Sequence, residues 1–500
     1  MNVIAIDYGT SNCCCALVVD NTPQLVELEP GSVLLPSLLW VPHAPIGKVS
    51  VSEHEVAEIK ASLLRQQADM RKRRRERIEK SGLAIEPAGL EKYDDTALDK
   101  LAYEQARSDA FQLAASGDSA TESRAIEIRA SEVLLGANAL RVHTSDPSIG
   151  RLLRSPKNFL AVELDAYQLH YFEAATAAFL RFLRSRAEQQ LGAKADVVVL
   201  GRPVTYHGAR GDAGNAQAID IMRKAAAQAG IGELVFEYEP VAAAMAYEQE
   251  LTTDKTVLVL DAGGGTTDCT LMRVGPSRRG KADRTRDILG TSGERLGGVD
   301  LDVAFAETFF APALGLNGLL KSGLAMPSRG IFDALSFNDI PAQTRFYGRK
   351  MGSELAEYLK DAVTPEPIAR LISVRDGNLT MRLNHSAEQG KIGLSAADHG
   401  DVALDYVDTA VDIAASKHLF EKTIAAHIER IVQLMAEACK QGGEAPDEIF
   451  VTGGTSRLPI LNRMVRERFP AIPIVNGDDF GSVVKGLALR ASTLVSSKVR

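Results

Sequence analysis

The sequence predicts an α/β fold built from two related halves. Apolar strands alternate with amphipathic helices, as where the strand 196–200 is followed by the helix 219–229. The halves also share a motif: VIAIDYGTSNCCCALV near the start resembles LVLDAGGGTTDCTLMRV near the middle. Each copy has an apolar strand ending in Asp, a Gly-rich turn with Thr, and a second strand that we align at Cys13 and Cys269. This repetition indicates two pseudo-symmetric lobes that present the same hairpin.

The composition is that of a globular enzyme. Of 500 residues, 45% are apolar and 24% are charged, and this length suggests about three domains. The formal net charge of −8 argues against a general nucleic-acid binder. No stretch approaches about 18 uninterrupted apolar residues, so we expect no membrane span. Asp7 interrupts the first apolar run and no basic leader precedes it, which argues against a signal peptide.

Cysteine usage points to a reducing compartment. Five cysteines in 500 residues are too few for a disulfide scaffold, so we expect a cytoplasmic protein. Cys13, Cys14 and Cys15 are adjacent, and neighbouring strand residues point to opposite faces, which suits a metal site poorly. A metal or redox role is the alternative. We predict that these residues fill a buried strand as small apolar side chains.

The stretch 51–142 differs in character from its surroundings. It is rich in Glu, Lys, Arg, Ala and Leu, which predicts largely exposed helices inserted into a domain that resumes near Ser155. Its basic run RKRRRER at 71–77 is typical of a solvated helix face. Binding of a nucleic acid or an acidic partner is the alternative.

The matched hairpins indicate a polyphosphate site. A Gly-rich turn lets the backbone approach a ligand and direct its N–H groups at an anion. Asp7 and Asp261 would repel phosphate, so we expect them to hold Mg²⁺ through water. A third turn, TGGTS at 452–456, joins a strand to a helix with Pro459 near its start, and helix N-termini attract phosphate. Ordinary β-turns are the alternative, and each further copy weakens it.

Eight segments, taken in order, resemble one protein family. The sequence has neither a Gly-x-x-x-x-Gly-Lys-Ser/Thr loop nor a Gly-x-Gly-x-x-Gly after its first strand. The matching segments are IAIDYGTSN (4–12), SPKNFL (155–160), YEPVAAAMAY (238–247), VLVLDAGGGTTD (257–268), RLGGVDLD (295–302), SAEQGKIGLS (386–395), VTGGTSRLP (451–459) and GDDFGSVVKGLAL (477–489). With them the chain resembles the nucleotide-binding domain of the seventy-kilodalton heat-shock chaperones, in the actin-like ATPase superfamily. More narrowly, it resembles the YegD-like chaperone group.

The resemblance implies an actin-like ATPase fold with two lobes around a nucleotide cleft. Lobe I would span 1–250, with a charged insertion or subdomain IB at about 46–150 within subdomain IA. Lobe II would span 251–500, with subdomain IIA at about 251–300 and 431–500 and subdomain IIB at about 301–430. The family's β-sandwich peptide-binding domain is not expected, because the sequence ends soon after the last matching segment.

The resemblance also implies catalytic roles. Lys157 would meet the charge on the γ-phosphoryl group, and Glu239 would orient or deprotonate the attacking water. Asp261 and Thr266 would complete the catalytic set. Mg²⁺ would be held, mostly through water, by Asp7, Asp261 and Asp268. The phosphates would be bound by the turn residues Gly9, Thr10, Ser11, Asn12, Gly263, Gly264, Gly265, Thr266 and Thr267.

The nucleoside contacts follow from the same resemblance. They would come from Gly297 and Gly298, which line the cleft, and from one helix face with Glu388, Lys391 and Ser395. The third turn would add Gly453, Gly454 and Ser456, and the segment before the last helix would add Asp478. The spacing i, i+3, i+7 puts the three helical side chains on one face. A solvated polar face is their alternative, as turn glycines are for Gly297 and Gly298. Ile392 stands where the family has an arginine that stacks on adenine, and the acidic position at Asp478 and Asp479 is shifted, so these contacts differ from the family pattern.

The function implied is an ATP-binding, slowly hydrolysing chaperone-like switch. ATP or ADP and Mg²⁺ would be its cofactors, and unknown protein partners would bind the insertion or the region 301–430. A small-molecule kinase, such as a sugar kinase, and a filament-forming ATPase of the same superfamily are the alternatives. An activator with an iron–sulfur cluster is disfavoured, because the sequence lacks spaced cysteine pairs.

Overall fold

The computed structural model describes most of the chain. The described residues are 2–19, 22–42, 51–81, 90, 93–116, 133–145, 149–204, 206, 210–281, 283–408, 411–477 and 481–498. The strands of the first half are β1 (Val3–Tyr8), β2 (Asn12–Val19), β3 (Thr22–Leu25), β4 (Leu34–Pro36), β5 (Leu38–Pro42), β6 (Leu134–Leu135), β7 (Gly150–Arg154), β8 (Val197–Arg202) and β9 (Glu233–Tyr238). Its helices are α1 (Glu53–Ser81), α2 (Asp95–Ser116), α3 (Gly136–Ser145), α4 (Ala166–Leu191), α5 (Gly211–Gln228) and α6 (Glu239–Glu248).

The second half is mainly helical between two groups of strands. Its strands are β10 (Lys255–Ala262), β11 (Thr267–Val274), β12 (Ile288–Glu294), β13 (His399–Ala403), β14 (Asp412–Ser416), β15 (Glu448–Thr452) and β16 (Ile474–Asn476). Its helices are α7 (Gly298–Phe309), α8 (Arg329–Leu335), α9 (Ile340–Tyr347), α10 (Arg349–Asp361), α11 (Glu366–Asp376), α12 (Thr380–Ala396), α13 (Lys417–Gly442), α14 (Pro459–Arg468) and α15 (Ser482–Lys498). The mixed, mainly helical character predicted for 301–430 is confirmed.

Two sheets repeat one topology, which confirms the predicted pair of related lobes. The first has the order β3-β2-β1-β8-β9, with β4 also on β2, and the second has the order β12-β11-β10-β15-β16. In each, the central strand pairs antiparallel with the hairpin strand that follows it and parallel with a later strand. The carboxyl ends of β1 and β10 therefore occupy equivalent places, where ligands usually bind in α/β sheets.

The central strands are apolar on both faces because each sheet is covered on both sides. One face of the first sheet packs on α4 and α5, and one face of the second packs on α7 and α13. The other faces share a core with α6 and α15. At Gly486 of α15, a Cβ atom would lie 1.7 Å from the Ala242 carbonyl oxygen of α6, so only glycine lets these helices cross so closely. The two lobes are thus joined through one packed interface.

The cysteine prediction is confirmed for the first hairpin. Cys13 and Cys15 lie in the core under α4, whereas Cys14 lies in the core shared by both sheets. All five cysteines are free thiols, and four of them are buried. No group of three or more His, Cys, Asp or Glu side chains suited to a metal ion occurs among the described residues.

The insertion forms a helical hairpin where it is described. Helices α1 and α2 pack through a small cluster around Leu63, Leu98 and Ala102. The basic run lies on α1, where the side chains of Arg71, Lys72 and Arg75 are exposed and that of Arg74 is half-buried, in agreement with a largely solvated face. At its base, β5, β6 and β7 form a three-stranded sheet. In the described part of the chain, no helix combines the length and apolar character needed to cross a bilayer.

One helix begins earlier than predicted. The apolar periodicity indicated a helix over 219–229, but α5 begins at Gly211. Its first turns are polar and small, so they carry no periodic signal. Gly214 in that segment is nevertheless buried, which shows that tertiary packing extends the helix beyond its apolar stripe.

Candidate functional site

A cavity of about 320 Å³ lies between the two lobes, at the carboxyl ends of β1, β10 and β15. Residues of all three predicted turns line it, together with side chains from α12. The sequence-predicted residues among them are Asp7, Gly9, Thr10, Ser11, Asn12, Lys157, Glu239, Asp261, Gly263, Gly264, Thr266, Gly298, Glu388, Lys391, Ser395, Gly453 and Gly454. The fold therefore brings together positions from 7 to 454 in one place.

The two hairpin turns touch each other at the base of this cavity. The Gly265 N–H donates to Thr10 Oγ1 at 3.1 Å. A Cβ atom at Gly264 would lie 1.6 Å from Ser11 Oγ, so a larger residue there would displace the Ser11 hydroxyl from its position between the two turns. The base of the cavity is therefore built from turns of both lobes.

The strand register corrects our alignment of the two hairpins. Asp7 lies opposite Cys14 in the β1–β2 pair, and Asp261 lies opposite Asp268 in the β10–β11 pair. Cys14 is thus equivalent to Asp268, and Cys269 is equivalent to Cys15 rather than to Cys13. The sequence match was displaced because three successive cysteines offer three equally good alignments.

Lys157 and Glu239 form a buried ion pair beside the first hairpin. Lys157 Nζ donates to Glu239 Oε1 at 2.6 Å, and the two residues are only 7% and 8% exposed. A short 3₁₀ helix, Pro156–Phe159, carries the lysine, and Ser155 before it has a left-handed backbone with φ of 50°. The Ser155 hydroxyl donates to the Thr10 carbonyl oxygen, which ties this segment to the first turn. Glu239 is the first residue of α6 and directly follows β9, so the pair is held by a 3₁₀ helix on one side and by a strand-to-helix junction on the other.

The pKa values of the pair reflect burial and mutual charge. Burial would lower the pKa of Lys157, but the negative charges of Glu239 and Asp7 raise it above its ordinary value. Burial raises the pKa of Glu239, and the charge of Lys157 offsets part of that increase. The lysine is therefore cationic at neutral pH, while the carboxylate is a better proton acceptor than an exposed glutamate.

The two strand-end aspartates lie in buried, acidic surroundings that raise their pKa values. Burial and the charge of Glu239 raise the pKa of Asp7 to about 7. Burial, Glu239 and Asp268 raise the pKa of Asp261 to about 8. Lys157 opposes both increases without cancelling them, so the site has more acidic groups than the one lysine can neutralise. Such a surplus suits a divalent cation.

The third turn and α12 form the opposite wall. Thr455 Oγ1 donates to the Gly263 carbonyl oxygen at 2.7 Å, which holds the third turn against the second. Lys391 Nζ lies 2.6 Å from Asp302 and donates to the Gly298 carbonyl oxygen at 3.1 Å. The side chain of Ile392 also lines the cavity.

A contact between the lobes closes part of the cavity mouth. Arg154, at the end of β7, lies 3.4 Å from Glu388 and also donates to Asn384, both on α12. Burial would raise the pKa of Glu388, but the hydrogen bond with His385 and the charge of Arg154 lower it to about 2. The carboxylate thus stays ionised and paired across the cleft.

Some predicted residues lie behind the cavity wall. Thr267 donates to the Leu296 carbonyl oxygen at 2.7 Å, and Ser456 donates to the Gly453 carbonyl oxygen at 2.6 Å. Asp268 is buried, and neither it nor Gly265 or Gly297 is among the cavity-lining residues. Asp478 and Asp479 lie outside the described residues. The roles given to all these residues remain predictions.

Sequence reasoning missed several residues that the structure brings to the site. Arg154, Asp302, Thr455 and Arg457 line the cavity. All four lie within or next to segments already singled out, so proximity to those motifs was a usable signal. No sequence signal pointed to Tyr206. Its buried hydroxyl lacks a hydrogen-bond partner among the described residues and interacts electrostatically with Lys157 and Glu239.

Comparison with known proteins agrees with this geometry. A family model described as Hsp70 protein matches residues 152–314 and 325–500. The chaperone protein DnaK of Thermus thermophilus is 26% identical over 362 residues, which cover 69% of this chain and 47% of that protein. The chaperone protein dnaK of Cyanidioschyzon merolae is 25% identical over 340 residues, covering 64% and 44% respectively. The chain spans about half the length of these relatives. Since the family model matches well over half of the residues, this chain belongs to the Hsp70 family.

Proposed function

We propose that this chain binds ATP in the cavity between its lobes, hydrolyses it slowly, and uses the nucleotide state to control binding of protein partners. The observation that carries the proposal is the buried Lys157–Glu239 pair, which faces two strand-end aspartates across a cavity walled by three Gly-rich turns. Phosphoryl transfer depends on positioning and charge neutralisation, and these groups supply both.

The side chains divide the chemistry among them. The cationic Lys157 neutralises charge that develops on the γ-phosphoryl oxygens. Glu239, with its raised pKa, orients the attacking water and accepts its proton. The N–H groups of the facing turns bind the phosphates, and their Thr and Ser hydroxyls add further donors.

The acidic surplus fits a magnesium ion. Asp7 and Asp261 would hold it mainly through water, with Asp268 behind them, because Mg²⁺ is usually bound by one or two carboxylates plus substrate phosphates. When bound, the ion would neutralise phosphate charge and lower the pKa of both aspartates.

The switch would act through closure of the lobes. Arg154 on one lobe and Glu388 on the other line the cavity and form an ion pair, so a change in the spacing of the lobes would alter a wall of the nucleotide site. Membership of the Hsp70 family favours a chaperone-like role over a kinase or a filament-forming ATPase. We assign the chain to the cytoplasm on its free cysteines, and the narrower YegD-like assignment is part of the same proposal.

Isothermal titration of ATP and ADP, with and without Mg²⁺, followed by a phosphate-release assay, tests the proposal. We expect Mg²⁺-dependent binding at micromolar concentration or tighter and slow turnover. Glu239→Gln should slow the chemical step by about 10²-fold or more while nucleotide still binds. Glu250→Gln, at an exposed position just after α6, is the matched control and should change neither. Absence of nucleotide binding, or unchanged turnover in Glu239→Gln, would contradict the proposal.

A further inference from the structure

Helix α6 has a buried carboxylate at each end. Glu239, its first residue, pairs with Lys157 beside the cavity, and Glu248, its last residue, is 1% exposed at the opposite end. Every residue of the helix except Ala246 is buried, and the helix crosses α15 in close contact at Gly486. A helix packed in this way moves as one body, because close-packed interiors transmit displacements. Whatever holds Glu248 therefore also bears on the position of Glu239.

The hydrogen-bond donors to Glu248 come from the second lobe. They belong to the segment 275–287, which connects β11 to β12. Arg284 Nη2 donates to Glu248 Oε2 at 2.8 Å, and Arg284 Nη1 donates to Oε1 at 3.4 Å. The Gly275 N–H donates to Glu248 Oε2 at 3.3 Å. In the described part of the chain, every hydrogen bond that the Glu248 carboxylate accepts comes from this segment.

The same segment binds the backbone at the end of α6. The Arg279 guanidinium donates to the carbonyl oxygens of Glu248, Gln249 and Leu251, at distances from 2.6 to 3.2 Å. Carbonyl groups at a helix C-terminus lack intrahelical partners, and the helix dipole favours a cation beside them. The second lobe thus holds the C-terminal end of a helix whose first residue lies at the cavity.

Arg284 is buried, and carboxylates balance its charge. It is 5% exposed, and its Nε donates to Asp287 Oδ2 at 2.6 Å. Asp287 also accepts from Arg278. Ala282, the one residue of the segment outside the described residues, has no charge to alter this balance. Arg284 therefore bridges two buried carboxylates, which requires the planar fork of a guanidinium rather than the single ammonium group of a lysine.

We propose that Arg284 is a positioning residue that acts on Glu239 through α6. This role rests on the proposed function, in which Glu239 orients the attacking water and accepts its proton. Because Arg284 ties the end of α6 to the second lobe, the position of the Glu239 carboxylate depends on the position of that lobe. A general base must lie within hydrogen-bonding reach of its water, so a small displacement of α6 slows hydrolysis. Nucleotide affinity should not change, since the three Gly-rich turns lie outside this network.

A double-mutant cycle on single-turnover ATP hydrolysis tests the proposal. Arg284→Lys keeps the charge but loses the fork, so it should slow hydrolysis about fivefold or more while the ATP affinity, measured by calorimetry, changes less than about twofold. In the Glu239→Gln background, Arg284→Lys should change the rate less than about 1.5-fold, because no base remains to be positioned. A purely structural role would give the same factor in both backgrounds.

Arg345→Lys is the matched control. Arg345 also makes a two-point contact with a buried carboxylate of the second lobe, Asp333, at 2.7 and 3.1 Å. Neither residue is among those that line the cavity. Hydrolysis should therefore stay at the parent rate in both backgrounds. Melting temperatures of all variants report on folding.

Hydrogen exchange measures the same coupling without turnover. In the ligand-free chain, Arg284→Lys should speed exchange of the backbone amides over 239–244 about fivefold or more, because loosening one end of a rigid helix reaches the other. Arg345→Lys should leave these amides unchanged. Glu248→Gln removes the charge from the other partner and should behave like Arg284→Lys in both assays. It keeps the proposal testable if Arg284→Lys does not fold.

The proposal is overturned if folded Arg284→Lys hydrolyses ATP at the wild-type rate, if it loses the same factor in both backgrounds, or if exchange over 239–244 is unchanged. Failure of the proposed function would differ: the wild-type chain would not hydrolyse ATP, or Glu239→Gln would not slow hydrolysis. In that case the exchange experiment alone decides whether Arg284 holds the end of α6 that carries Glu239.

Discussion

The hairpins of the two lobes have the same backbone topology but different acidic content. Each ends its central strand in an aspartate, Asp7 or Asp261, before a Gly-rich turn. Across the ladder, however, the first hairpin has Cys14 where the second has Asp268. Burial and the charge of Glu239 raise the pKa of both aspartates, and the charge of Asp268 is a further cause at Asp261 alone. A repeated fold has thus produced a site that is not symmetric.

The lysine and the glutamate complete this asymmetry. Lys157 and Glu239 both come from the first lobe, and the segment of Lys157 is tied to the first turn through Ser155. The first lobe therefore contributes the groups proposed for proton transfer and charge neutralisation, whereas the second contributes the larger share of carboxylates. We infer that catalysis requires both lobes to be closed on the nucleotide.

The largest expected effect comes from removing the lysine that pairs with Glu239. Lys157→Ala should reduce ATP turnover by about 10²- to 10³-fold, because it removes a preorganised donor to the γ-phosphoryl group. Most of the nucleotide affinity should remain, since the turns still bind the phosphates. Phosphate release under single-turnover conditions and nucleotide titration measure the two effects. Lys224→Ala, which removes a surface lysine paired with Asp220 and Glu173, should leave both unchanged. Unchanged turnover in Lys157→Ala would remove this lysine from the mechanism.

Exchanging the residues opposite the aspartates tests the comparison directly. Cys14→Asp would place a further carboxylate in a buried, acidic site and should lower the free energy of unfolding by about 3 kcal/mol in the absence of Mg²⁺. Asp268→Cys would make the second hairpin like the first, so it should weaken Mg²⁺-dependent ATP binding while relieving repulsion on Asp261. Urea unfolding and calorimetric titration measure the two outcomes. Wild-type stability in Cys14→Asp together with wild-type ATP affinity in Asp268→Cys would mean that the acid difference between the hairpins has no consequence.

The raised pKa values predict a pH dependence of binding. Between pH 6 and 8 the carboxyls of Asp7 and Asp261 lose their protons, so Mg²⁺-dependent ATP binding should tighten by roughly tenfold or more. The stability of the ligand-free protein should change in the opposite direction: the folded pKa values exceed the unfolded ones, so stability falls as pH rises towards about 7 and 8. Titrations at several pH values test the first effect and thermal melts the second. Asp261→Asn should flatten the pH dependence of both ATP binding and stability. An unchanged pH dependence would mean that groups other than Asp261 cause it.

The smallest expected effect concerns the contact across the cavity mouth. Arg154→Gln removes the charge that pairs with Glu388, and nucleotide should dissociate a few-fold faster while single-turnover hydrolysis stays near the wild-type rate. Stopped-flow displacement of a fluorescent ADP analogue measures the release rate. Arg151→Gln, an exposed position on the same strand, is the control. Faster hydrolysis or slower release in Arg154→Gln would mean that the contact does not hold the lobes together.

Much of the fold followed from local signals. The hairpins, the strand at 196–200 and the helical insertion were predicted because their apolar periodicity and turn residues are strong. The start of α5 was not, since its first turn is polar, small and exposed apart from the buried Gly214, and therefore carries no apolar stripe. Our alignment of Cys13 with Cys269 was wrong, because only the strand register shows that Cys14 lies opposite Asp7 and that Cys15 is the equivalent of Cys269.

By itself the sequence determined the kinds of residue available: two Asp–Gly turns, a third Gly-Gly turn, and a lysine and a glutamate in recognisable segments. Only the tertiary structure decided their geometry. The 2.6 Å contact between Lys157 and Glu239, the hydrogen bond from Gly265 to Thr10, and Arg154 opposite Glu388 join residues up to 255 positions apart. Such contacts depend on how two sheets and their covering helices pack, and so do the burial and charge that raise the pKa of Asp7 and Asp261. Local sequence patterns encode strands, turns and helices, whereas the distances and dielectric surroundings that give side chains their chemistry arise from packing.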